Sequence, residues 1–194
     1  VCDFVEFMAF TGLRKTELLE LEWKNVFLYD QLFCLDDTKN GQGLELPITK
    51  PLEEILKRRA EYRVSGFVFG ADNHHGRVVE PKKIIKQMNE RADVSFTLHD
   101  LRRTFCSVAE TIGVGTYTLK RLLNHKTSRS DVTAGYTVLT AEELREPAEK
   151  ICQRISEYAG FELDIPDKSM VKLTKQLKSL TKEQRVELMS VLIG

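Results

Sequence analysis

A histidine and an arginine three residues apart stand near the start of a segment that has the pattern of a helix. The segment reads Thr-Leu-His-Asp-Leu-Arg-Arg-Thr-Phe, and it places His99 and Arg102 on one helical face. Thr97 suits the N-cap position, and Asp100 follows it at the spacing of a capping box. Free backbone N–H groups and the helix dipole favour an anion at such an end. A proton donor and a fixed cation there suit a phosphate group.

Four further motifs carry side chains that phosphate chemistry can use. Thr-Gly-Leu-Arg places Arg14 at a corner between two helices, and Glu17 follows where it can hold that arginine. Thr-Lys-Asn-Gly places Lys39 at the tip of a predicted hairpin. Leu-Leu-Asn-His places His125 directly after an asparagine that can end a helix in the left-handed conformation. Ala-Gly-Tyr carries Tyr136 in a short segment. Any one of these residues alone would be ordinary surface, so their joint occurrence carries the interpretation.

In chain order, these residues make the sequence resemble the catalytic domain of the tyrosine recombinase (phage integrase) family, over about residues 1–155. The resemblance implies that the two arginines and the second histidine contact the scissile phosphate. It also implies that the lysine protonates the leaving 5′-oxygen, the first histidine assists proton transfer and the tyrosine attacks. The common Leu-Gly-His of the family is Leu-Asn-His here, and the stretch between His125 and Tyr136 is slightly longer than in many members. The matching residues are Arg14, Lys39, His99, Arg102, His125 and Tyr136.

The elements that must position these side chains are predicted from periodicity and turn residues. The pattern predicts a mainly α fold with a small antiparallel β-sheet (α+β), as in the catalytic domain of that family. Residues 1–159 are expected to form the catalytic domain, and residues 160–194 a linker with an amphipathic helical tail that docks on its own domain or on a neighbour. The amino-terminal DNA-binding domain that family members carry is expected to be absent. Predicted helices cover 15–22, 51–62, 81–92, 99–112, 116–123, 131–138 and 141–158, and predicted strands cover 26–29, 32–36 and 44–48.

The charge pattern bears on the partner. The chain has 29 basic and 29 acidic residues, but residues 81–130 hold ten cations against four anions. Phosphate contact needs a local positive patch rather than a positive total. We therefore expect double-stranded DNA as the partner and a homo-oligomer, a tetramer on paired sites, in the full-length protein, although this fragment alone could be monomeric. No signal peptide or apolar span is present and the cysteines are far apart, so a cytoplasmic protein with no membrane contact is expected. No cofactor and no metal ion are expected.

Two other functions fit parts of the same pattern. A type IB topoisomerase resembles this family in fold and uses a similar set of side chains. The compact Thr-Gly-Leu-Arg and His-Asp-Leu-Arg-Arg-Thr-Phe motifs favour the recombinase, whereas relaxation of supercoils by a monomer would favour the topoisomerase. A catalytically silent DNA-binding or assembly module is the third possibility, and the complete set of six candidate residues argues against it.

Overall fold

The fold is mainly helical, with one small sheet, in the parts of the chain that the computed structural model describes, which are residues 2–35, 43–125 and 139–160. The β-strands form one antiparallel sheet, in which each strand lies beside the next one along the chain. This architecture confirms the predicted fold class. The elements are α1 (Cys2–Thr11), α2 (Lys15–Leu19), a 3-10 helix (Trp23–Asn25), β1 (Val26–Phe27), β2 (Leu32–Leu35), β3 (Leu44–Pro47), α3 (Lys50–Glu61), α4 (Lys82–Ala92), α5 (Leu98–Thr111), α6 (Thr116–Leu122) and α7 (Ala141–Tyr158).

Two elements, α2 and β1, end two or more residues earlier than the sequence predicts, and both differences have a backbone cause. Helix α2 ends at Leu19 because the chain after it pairs with a distant segment: the Val68 N–H donates to the Leu21 carbonyl at 2.9 Å, and Glu22 forms an antiparallel bridge with Phe67. Strand β1 ends at Phe27 because the following residues turn into β2. The helix predicted over 131–138 and the tail beyond residue 160 lie outside the described residues.

Helix α1 lies at the centre of the core. Its sequence is mostly apolar, and its two acidic residues, Asp3 and Glu6, lie one turn apart on a side where they pair with Arg58. Phe4, Phe7 and Met8 are buried, and α1 packs against α3, α5 and α7. Phe7 contacts the rings of Phe33 and Phe69 edge-on, with ring centroids 5.8 and 5.7 Å apart. Because α1 is fixed so firmly, the corner at its C-terminal end is fixed as well.

The sheet and helix α7 close the other side of this core. Strands β2 and β3 pair from Leu32 opposite Pro47 to Leu35 opposite Leu44, as the predicted hairpin requires. Strand β3 packs against α7, which begins with a capping box at Thr140. Among the described residues, none of the helices is both long enough and apolar enough to cross a membrane.

The corner between α1 and α2 depends on Gly12. Its φ of +63° lies in the left-handed region, and a Cβ there would lie 2.7 Å from Cδ1 of Phe105 and 2.9 Å from Cδ2 of Leu123. The absence of a side chain therefore lets α5 and the end of α6 approach this corner closely.

Replacing Gly12 with alanine should destabilise the fold more than the same change at Gly113. Gly113 has a φ of +76° and open space around its Cβ position, so Gly113→Ala measures the backbone cost alone, about 1 kcal/mol. Gly12→Ala adds overpacking against Phe105, and we expect about 1–3 kcal/mol more. Equilibrium denaturation of both variants measures the difference. Equal losses would contradict the close approach at Gly12.

Candidate active site

Arg102 lies on the buried side of α5. Its guanidinium joins two corners of the fold, the turn between α1 and α2 and the turn at the end of α6. Nη1 donates to the Gly12 carbonyl at 2.5 Å, and Nη2 donates to the Leu123 carbonyl at 3.1 Å. Burial lowers the pKa of this guanidinium, the nearby Arg14 cation lowers it further, and Glu17 opposes the shift. The guanidinium stays charged at neutral pH, because the ordinary pKa of an arginine lies far above 7. Arg102 therefore brings a fixed positive charge to the point where the two corners meet.

His125 is positioned by the end of helix α6. Asn124 has a φ of +49°, in the left-handed region, as the sequence predicts. The His125 N–H donates to the Lys120 carbonyl at 2.9 Å, and the Asn124 N–H donates to the Arg121 carbonyl at 3.1 Å. These two bonds form a Schellman motif, which satisfies the last carbonyls of the helix and turns the chain sharply. The turn leaves the His125 side chain exposed at the surface.

Arg14 stands at the first corner and reaches across to the second. Its Nη1 donates to Oε1 of Glu17 at 2.8 Å and to the Asn124 carbonyl at 3.0 Å. Glu17 also accepts the Arg14 backbone N–H through Oε2 at 2.7 Å, so it holds both the side chain and the backbone, as the sequence predicts. The Arg14 side chain is 46% exposed and Arg102 only 9%. One arginine is therefore accessible and the other is built into the fold.

The charges of Arg14, Arg102 and Glu17 all act on His125. Partial burial lowers the pKa of the His125 imidazole, Arg102 and Arg14 lower it further, and Glu17 opposes the shift. The structure thus brings Arg14, Glu17, Arg102 and His125 together from three separate parts of the chain. Such a cluster, with one exposed guanidinium and one imidazole, can bind a phosphate and stabilise negative charge that develops on it.

His99 lies near the start of α5, about one turn before Arg102. Thr97 caps the helix as predicted: its hydroxyl accepts the Asp100 N–H at 3.3 Å, and the Asp100 carboxylate accepts the Thr97 N–H at 2.9 Å. His99 lines an open groove of about 820 Å³. Lys15, the residue after Arg14, lines the same groove. His99 is thus exposed at this groove, which, among the described residues, none of Arg14, Arg102 and His125 lines.

Two predicted site residues, Lys39 and Tyr136, lie outside the described residues. The strands that lead to Lys39 are described, and they pair through Leu35 and Leu44. The structure also adds one polar residue that the sequence suggested only as a helix end. Nδ2 of Asn124 donates to Oε1 of Glu17 at 3.0 Å. The sequence gives no signal for this contact, because the two residues are 107 positions apart.

The His125 imidazole should titrate below its ordinary value of 6.5, because burial and two guanidinium groups disfavour its charged form. The unfolded chain then takes up this proton first, so the histidine lowers stability as the pH falls through about 6.5. Arg14→Gln should move the midpoint upward, and Arg103→Gln on the exposed side of α5 should leave it unchanged. NMR titration of the ring measures all three midpoints. A wild-type midpoint above 6.5 would refute the electrostatic assignment.

Comparison with known proteins finds a matching family model and similar proteins. The family model described as "Phage integrase family" matches residues 3–143. The chain is 27% identical to prophage integrase IntF of Escherichia coli strain K12 over 131 residues, which cover 64% of the chain and 28% of that protein. It is also 27% identical to tyrosine recombinase XerA of Pyrococcus furiosus over 147 residues, which cover 72% of the chain and 50% of that protein. The chain thus spans half or less of the length of these relatives.

Solved structures show the same fold. The integrase of mycobacterium phage Brujita matches with a TM-score of 0.62 at 22% identity, over 88% of this chain and 55% of that one. The XerH site-specific recombinase, bound to its difH substrate, matches with a TM-score of 0.53 at 17% identity, over 81% of this chain and 44% of that one. Neither of these two proteins, nor either of the two relatives above, is named a topoisomerase.

Proposed function

Because the chain belongs to the phage integrase family, we propose that it cleaves and rejoins DNA strands through a covalent 3′-phosphotyrosine. The observation that carries this proposal is the meeting of Arg14, Arg102 and His125 at two joined corners of the fold. These residues come from positions far apart in the sequence. An ordinary surface gives no reason for two arginines and a histidine to converge in this way.

The cluster matches what phosphodiester cleavage demands. The transition state gathers negative charge on the non-bridging phosphate oxygens. Guanidinium groups bind such oxygens in bidentate fashion, and each preorganised donor is typically worth about 100- to 1,000-fold in rate. Arg14 and Arg102 supply this charge in the proposal, and His125 binds the same phosphate. Glu17 supports the reaction by holding Arg14 in place.

The remaining roles complete a balanced reaction. The Tyr136 oxygen loses its proton and bonds to phosphorus, the bond from phosphorus to the 5′-oxygen breaks, and its electron pair stays on that oxygen. Lys39 protonates the leaving oxygen, and His99 assists proton transfer by accepting the proton that Tyr136 loses. The reverse sequence with another 5′-hydroxyl rejoins the strand. The covalent intermediate keeps the energy of the phosphodiester bond, so the reaction needs no ATP.

The proposal extends to the partner and the assembly. Double-stranded DNA fits a site built for phosphodiesters, and the similar XerH recombinase is bound to its difH substrate. Exchange between two duplexes requires four strand breaks, and one tyrosine makes one break, so we propose four copies on paired sites. Residues 1–159 form the catalytic domain in this proposal, and the reaction takes place in the cytoplasm.

The test is a covalent adduct on nicked DNA. A pool of duplexes with a nick and randomised flanking sequence lets the protein select its own site, and a short released fragment cannot rejoin. We expect an adduct that survives denaturant, forms equally in excess EDTA, and maps by peptide mass spectrometry to Tyr136. An adduct at Tyr117 or Tyr158 would reject the assigned nucleophile. The absence of any adduct, or a strict requirement for magnesium, would reject the mechanism.

A further inference from the structure

Asn124 makes contacts that its place at a helix end does not require. Its backbone carbonyl accepts Nη1 of Arg14 at 3.0 Å, and its side-chain Nδ2 donates to Oε1 of Glu17 at 3.0 Å. One residue at the end of α6 thus holds both members of the Arg14–Glu17 pair at the other corner. We propose that Asn124 is a positioning residue, whose side-chain amide fixes the Glu17 carboxylate and thereby orients Arg14 toward the phosphate. This inference rests on the proposed function.

The hydrogen bonds define how Arg14 is oriented. Oε2 of Glu17 accepts the Arg14 backbone N–H at 2.7 Å, and Oε1 accepts both Nη1 of Arg14 at 2.8 Å and the amide of Asn124. Three donors therefore fix the plane of this carboxylate. Nη1 of Arg14 carries two hydrogens, which serve Glu17 and the Asn124 carbonyl. The hydrogens of Nη2 and Nε are then the ones that a phosphate can take as a bidentate pair.

The amide also limits the competition between Glu17 and the phosphate for the same arginine. A carboxylate free to rotate can place both oxygens on a guanidinium and occupy its whole edge. In this chain Oε1 is shared with Asn124, and Oε2 is held by the backbone of Arg14. Glu17 therefore meets only one nitrogen of the Arg14 guanidinium. Removal of the amide should let the carboxylate turn and close part of the site.

The side-chain role of Asn124 can be separated from its backbone role. Its φ of +49° is the left-handed conformation that glycine, asparagine and aspartate adopt most readily. Asn124→Gly keeps this backbone and the carbonyl that receives Arg14, and it removes only the amide. Asn124→Asp keeps the shape and replaces the donor by a negative charge facing Glu17. Neither change removes a residue of the apolar core.

The first experiment is a double-mutant cycle between positions 124 and 17 on the DNA site that the wild-type protein selects. Asn124→Gly should lower the single-turnover cleavage rate by about 10-fold, since a hydrogen bond to a charged group is lost. Its DNA affinity and melting temperature should stay near wild type. In the Glu17→Ala background, which leaves the Asn124 amide no side-chain acceptor at position 17, Asn124→Gly should lower the cleavage rate no further. Asn73→Gly is the matched control. It likewise removes one side-chain amide, but Nδ2 of Asn73 donates to the Arg77 carbonyl and not to a residue of the proposed site, so this variant should cleave normally.

The second experiment exchanges the polarity of the contact. Asn124→Asp should cleave about 100-fold more slowly, because two carboxylates then face each other. Adding Glu17→Gln should restore most of the rate, since an amide at position 17 can donate to the new carboxylate. A purely structural role would not be rescued in this way. Full activity of Asn124→Gly, additive losses in the cycle, or failure of the exchange would each overturn the inference while the wild-type adduct still supports the proposed function. A wild-type protein that forms no adduct would overturn both.

Discussion

Replacing Arg102 with lysine is expected to slow strand cleavage by about 100- to 1,000-fold and to lower the melting temperature as well. Arg14→Lys should slow cleavage to a similar extent but leave the melting temperature unchanged. An ammonium group lacks the planar fork, so it cannot serve the Gly12 and Leu123 carbonyls and a phosphate at once. Loss of these two buried bonds should cost about 2–4 kcal/mol of stability. Arg14 is half exposed and its bonds lie near the surface, so its replacement should leave the core intact.

Single-turnover cleavage and thermal denaturation separate these two effects. Arg103→Lys is the matched control, because Arg103 is on the same helix, is 73% exposed and has a carboxylate oxygen of Asp100 3.8 Å from its Nη1. Both of its readouts should stay at wild-type values. An Arg102→Lys protein with an unchanged melting temperature would show that the two carbonyl contacts do not stabilise the fold. An Arg14→Lys protein that cleaves at the wild-type rate would remove Arg14 from the proposed site.

The parts of the site that the sequence predicts are those with local causes. Thr97 and Asp100 form their capping box within four residues, and Asn124 takes the left-handed conformation that ends α6. Gly12 likewise turns the chain where the pattern of α1 stops. In each case the residues that fix the backbone are neighbours in the sequence, so their types and spacing are sufficient.

The contacts that join the corners have no such local signal. Arg102 donates to a carbonyl 90 positions away, and Glu17 meets Asn124 across 107 positions. Backbone carbonyls are present in every residue, so sequence alone cannot show which of them a guanidinium will reach. The early end of α2 has a similar cause, because the backbone after α2 pairs with a distant segment through the bridge between Glu22 and Phe67. Long-range pairing thus decides these details, while local pattern decides which elements exist.

Replacing Lys39 with alanine is expected to slow cleavage of ordinary DNA by about 100- to 10,000-fold, the range typical for loss of a general acid. The structure does not describe Lys39, so this prediction comes from the sequence and from the paired strands on either side. In the proposed step, the 5′-oxygen leaves as an alcohol and needs a proton as its bond to phosphorus breaks. An alkoxide without that proton is a very poor leaving group, because the pKa of an ordinary alcohol is nearly as high as that of water.

A substrate with sulfur in place of the bridging 5′-oxygen distinguishes proton donation from simple positioning. A thiolate leaves without protonation, since the pKa of a thiol is only about 8.5. Lys39→Ala should therefore cleave the sulfur substrate at nearly the wild-type rate. Tyr136→Phe is the control and should be inactive on both substrates, because a sulfur leaving group removes the need for a proton donor but not the need for a nucleophile. Equal losses of Lys39→Ala on the two substrates would mean that Lys39 only positions the DNA, and the proton would then have to come from another group, with His99 the first to test.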